Sequence, residues 1–86
     1  MENFDFSAPA EIYASKSRGG ARGPMTYHRF ATGAQAVAFA IEVLSPDLLV
    51  GAVLEVAEER YGAAQIRALY ERADYPLERG GSRRSA

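Results

Sequence analysis

Three groups of residues in this 86-residue chain are of types that do chemistry: a lone histidine, a pair of adjacent carboxylates and a glycine cluster. His28 stands beside Arg29, and a general base or metal ligand there needs a second polar group within reach. The chain has no cysteine, and no acid falls between Glu11 and Glu42, so the sequence near His28 supplies no such partner. Glu58 and Glu59 are consecutive. Consecutive side chains of an extended segment point to opposite faces, so these carboxylates do not converge on a metal or a scissile bond. The glycines of Ser17-Arg18-Gly19-Gly20-Ala21-Arg22-Gly23-Pro24 lack the lysine and hydroxyl of a phosphate loop. They also lead into a strand pattern, where no helix N-terminus waits for a phosphate. The residues therefore point to a non-enzymatic protein with no catalytic residue, no metal ligand and no cofactor.

What remains is surface chemistry. The net charge is only −1, yet the signs are segregated along the chain. Residues 1–11 carry acids only, residues 12–41 carry Lys16, Arg18, Arg22 and Arg29 with no acid, and residues 42–59 carry acids only. A basic hairpin of this kind can track phosphates, while Tyr13, Tyr27 or His28 stack on bases if they face the open side of a sheet. Against a dedicated nucleic-acid binder stands an acidic sequence pI of about 5.8. Nine arginines to one lysine, with abundant alanine, also fit GC-rich coding without any polyanion partner.

The elements that must position these residues are legible from periodicity. Thr32-Gly33-Ala34-Gln35 matches a capping box. Behind it Ala34, Val37, Ala38, Ile41 and Leu44 recur at helical spacing. The opposite side, Ala36, Phe39, Ala40 and Val43, is apolar as well, so the helix calls for cover on more than one side. Ser45-Pro46 ends it and can cap one further turn through Leu49. Val50 to Val56 alternates as a strand with Val53 and Glu55 on its less covered face. Ala10 to Ser15 and Met25 to Ala31 read as two strands joined by a mobile glycine-rich tip. Ala57 to Gly62 reads as a charged exit and turn, and Ala63 to Ala73 as a second helix.

The expected fold is α+β, in the order β-β-α-β-α. A three-stranded mixed sheet would carry two helices on one face, as in a split β-α-β unit. Residues 1–9 form an N-terminal tail or edge segment, 10–77 one domain, and 78–86 a disordered tail. The leading functional reading is a protein-interaction module that forms homodimers, with Phe39, Val43 and Val53 as candidate interface residues. The alternative is a nucleic-acid-binding module using Lys16, Arg18, Arg22, Arg29, Tyr13 and Tyr27.

The segments Tyr27-His28-Arg29-Phe30, Phe39-Ala40-Ile41-Glu42, Gly51 to Val56 and Ile66 to Tyr70 resemble a family of small uncharacterised bacterial proteins. The resemblance covers roughly residues 10–77 and rests on apolar fold positions. It implies a bacterial, cytoplasmic setting and imports no site. The acidic first residues lack the basic and apolar regions of a signal peptide. No apolar run approaches the roughly 20 residues of a membrane span.

Overall fold

The computed structural model describes residues 4–18 and 21–78, and for residues 16–18 and 21–24 it describes the backbone only. The element order is β1 (Ala10–Arg18), β2 (Ala21–Phe30), α1 (Gly33–Glu42), α2 (Pro46–Val50), β3 (Val53–Val56), β4 (Glu59–Tyr61) and α3 (Ala63–Tyr70). The sheet has four strands in the order β2-β1-β3-β4, and every neighbouring pair is antiparallel. This corrects the expected three-stranded mixed sheet with two helices. β2 and β3 do run the same way, but β1 lies between them, so no parallel pair forms.

The fourth strand has a specific cause. Val56 pairs with Glu59, which leaves Ala57 and Glu58 as a two-residue hairpin loop. Both sit at positive φ, 52° and 70°. Positive φ at both loop positions is the signature of a type I′ turn, which sequences normally announce with Asn-Gly or Asp-Gly. Ala-Glu carries no such signal, which is why the sequence pattern alone reads β4 as a charged exit and turn.

Two other boundaries move. β1 and β2 extend well past Ser15 and before Met25, with Arg18 paired to Ala21 across Gly19 and Gly20, which lie outside the described residues. The expected long tip is therefore mostly ladder. Between the Ser15–Met25 and Ser17–Arg22 pairs the register shifts by one residue, setting Gly23 and Pro24 opposite Lys16. A proline is tolerated there because β2 is an edge strand. Further along, Pro46 and the Ser45 cap hold a short helix through Val50, so β3 begins at Val53 rather than at Val50. Of the expected C-terminal tail, residues 79–86 lie outside the described residues.

Helices and sheet enclose one core, with Ile12, Leu54, Ile66, Leu69 and Val37 as its largest fully buried side chains. The Thr32 hydroxyl caps α1 by accepting from the Gln35 amide at 3.2 Å. Ala36 and Ala40 are fully buried within the chain itself, and α3 packs on α1. The apolar back of α1 thus finds much of its cover in the monomer. Ile41 only flanks the core, because its position on α1 turns it partly to solvent.

The N-terminal segment folds back rather than adding a strand. Phe4 is buried and meets Phe6 and Tyr61 edge-on, and the Phe6 carbonyl accepts from the Ala34 amide at 2.9 Å. Gly33 permits this approach, since a Cβ there would stand 3.0 Å from the Phe4 ring. Beyond α3, Tyr75 is buried and donates from its hydroxyl to the Ala34 carbonyl at 2.9 Å.

Truncating Leu54 to Ala should cost about 2–5 kcal/mol of stability, and truncating Ile41 less, as read from urea unfolding midpoints. Replacing Ala57-Glu58 by Asn-Gly should raise stability by about 1 kcal/mol, because both residues then adopt positive φ readily. An unchanged or lower midpoint in that variant would contradict the turn.

Candidate functional site

Strand register fixes what shares the open face. Odd positions of β1 turn away from the core, since Ala10, Ile12 and Ala14 are buried while Glu11, Tyr13 and Ser15 are half-buried. Partners across a ladder share a face. One row therefore runs Arg29, Glu11, Glu55, Arg60 across all four strands, and the next runs Tyr27, Tyr13, Val53. Met25 and Ser15 begin a third.

Glu11 organises this face. Its carboxylate accepts from the Tyr27 hydroxyl at 2.8 Å and from the Tyr13 hydroxyl at 3.3 Å, and Arg29 Nε lies 3.8 Å away. The two tyrosine rings stand 5.1 Å apart at 46°. The hydrogen bond to Glu11, followed by desolvation and the carboxylate charge, holds the Tyr27 phenol above its ordinary value near 10. Desolvation, then the Glu11 charge and hydrogen bond, raises Tyr13 likewise. A shallow depression of about 340 Å³ opens over Tyr13, Met25, Val53 and Arg60.

The sequence-derived candidates divide over this geometry. Tyr13, Tyr27 and Arg29 do share the open face, but Glu11 engages all three, and Glu55 adds a second carboxylate beside it. A phosphate approaching this row meets negative charge at its middle and positive charge only at its ends. Lys16, Arg18 and Arg22 belong to the hairpin ladder, and their side chains lie outside the description. His28 points to the other face, where its ring stands 4.6 Å from that of Phe39, so it stacks on no ligand of the open face.

The candidate interface residues are similarly separated. Val53 lies on the open face, half-buried beside Tyr13. Phe39 lies across the sheet on α1, half-buried against His28 and Phe30. Val43, one helical turn beyond Phe39, is 66% exposed. Met25 and Tyr27 are 54% and 49% exposed, apolar surface that the strand pattern alone does not single out. The alternation of β2 places them on one face with Arg29, but only the strand order reveals that no strand lies beyond β2 among the described residues.

Chemically the surface can bury apolar area and present a strand edge. Among the described residues no three His, Cys, Asp or Glu side chains group to hold a metal. Among the same residues no helix is long and apolar enough to cross a membrane. Comparison with protein-family models, curated proteins and solved structures finds no match to this chain.

Glu11→Gln should lower the pKa of both tyrosines, read from tyrosinate absorbance in an alkaline titration. The folded-state pKa is raised, so this contribution to stability is complete below about pH 10. It is lost as pH rises through the raised value. The stability gap between wild type and variant should therefore narrow in strong alkali, and tyrosine titrations that coincide would contradict the Glu11 contacts.

Proposed function

We propose that this chain is a small, non-enzymatic, cytoplasmic protein-interaction module that self-associates. The observation that carries the reading is a band of exposed apolar side chains astride the outer edge of β2. Met25 and Tyr27 stand exposed on the open face, while half-buried Phe39 stands against His28 and Phe30 on the helix side. Large apolar side chains left in water on a core this small favour a covering partner. The charge pattern favours a protein over a polyanion, since Glu11 and Glu55 occupy the middle of the face that carries Tyr13, Tyr27 and Arg29.

Light scattering at low and high salt tests the proposal. Contact through apolar area persists in salt, whereas bound nucleic acid dissociates as counterions compete. A dimer at both concentrations is expected. Met25→Lys places a charge on the band and should give a folded monomer with little change in melting temperature, because the position is largely exposed within one chain. A monomeric wild type free of nucleic acid would overturn self-association. A monomer that retains nucleic acid, and releases it in salt or on Arg29→Glu, would favour the alternative module.

A further inference from the structure

We infer that the partner is a second copy of this chain, docked by antiparallel pairing of β2 with its counterpart across a two-fold axis at Tyr27. This rests on the self-association proposed above and specifies its geometry.

The backbone supplies the first reason. β2 is hydrogen-bonded to β1 along one edge and has no strand on the other among the described residues. In an antiparallel pair, alternate residues of an edge strand turn their N–H and C=O groups outward, a template for another strand. The opposite edge, β4, has only three residues and so offers little template. Pro24 and the register shift beside it limit the regular part of the β2 edge to residues 25–30. Proline donates no hydrogen bond, so pairing is best centred beyond it.

Charge and side-chain type then select the register. A two-fold axis perpendicular to the sheet keeps each face continuous, so residues pair only with positions of the same face. Centred on Tyr27, the ladder sets Tyr27 opposite Tyr27, Met25 opposite Arg29 and Thr26 opposite His28. The two Arg29 residues then lie four positions apart along the strands, roughly 13 Å, beyond the roughly 8 Å screening length of physiological salt. Centring on His28 would bring the arginines to about half that separation and oppose the two histidines. Centring on Thr26 would draw Pro24 into the ladder.

The Tyr27 register also continues what the monomer has begun. Tyr13 and Tyr27 already pair across β1 and β2 at 5.1 Å, and the dimer would extend them to a row of four tyrosines. Aromatic cross-strand pairs are favourable in sheets. On the helix side, Phe39 over His28 would face the same axis from each subunit. The two four-stranded sheets would become one continuous sheet.

The absence of cysteine in the chain makes the geometry directly testable. Under mild oxidation Tyr27→Cys should crosslink to itself, because the two Cβ atoms of a directly opposed pair approach within disulfide reach. Met25→Cys and Arg29→Cys should each remain uncrosslinked alone and form a mixed disulfide when refolded together. Val43→Cys and Val53→Cys report the competing helix and open-face contacts. A light-scattering dimer that crosslinks only through Val43 or Val53 would overturn the β2 pairing while leaving self-association standing. A monomeric wild type would overturn both. If Tyr27→Cys fails to fold, the Met25 and Arg29 mixture decides the register by itself.

Discussion

The placement of β1 between β2 and β3 constrains everything else in this molecule. Ile12 and Ala14 are fully buried on one face of this strand, while Glu11 and Tyr13 stand on the other. A slip of one residue would exchange those faces along the whole strand, exposing Ile12 and burying a carboxylate. The register is therefore fixed by burial, and it carries its neighbours with it. It aligns Tyr27 and Arg29 with Tyr13 and Glu11 on one side, and Val53 and Glu55 on the other. The Glu11 carboxylate then meets both tyrosine hydroxyls because strand pairing has already placed them there.

The distribution of cover explains why one face stays bare. With 86 residues, the chain spends its aromatic and aliphatic bulk on the helix side. Phe4 and Phe6 return from the N-terminus and Tyr75 from beyond α3, meeting Tyr61 and one another edge-on. Phe39 closes the β2 end of that layer against His28 and Phe30. Nothing in the described chain reaches the opposite face, where Met25, Tyr27, Val53 and the row of two carboxylates flanked by two arginines meet solvent. The β3–β4 hairpin completes the sheet on its far side at the expense of two residues in left-handed conformation, a cost of roughly 1–2 kcal/mol per non-glycine residue.

Much of this was legible in the sequence, and the failures have physical causes. Thr32 capped its helix as its spacing indicates, and the alternation around Ile12 and Leu54 gave the buried faces. β4 escaped because Ala57-Glu58 is a turn sequence only under tertiary constraint. The sequence pattern understates the hairpin because Gly23 and Pro24 normally end strands, whereas an edge strand accommodates them. The apolar back of α1 pointed to a partner, but α3 supplies much of the cover, which a pattern confined to one helix does not reveal. Of the candidate site, the shared face of Tyr13, Tyr27 and Arg29 follows from alternation. That Glu11 engages them, and that Met25 and Tyr27 stand on the outermost strand of the described sheet, depends on register and strand order, which are set by long-range pairing.

In the proposed dimer the outer edge of β2 is finished by a second strand. Amide hydrogen exchange along Met25 to Arg29, followed from high to low protein concentration, tests it most directly. Pairing on both edges protects every amide in this run at high concentration. On dilution, protection should fall to an alternating pattern, with only the amides bonded to β1 remaining slow. Alternation that is already present at high concentration, and does not change on dilution, would contradict it.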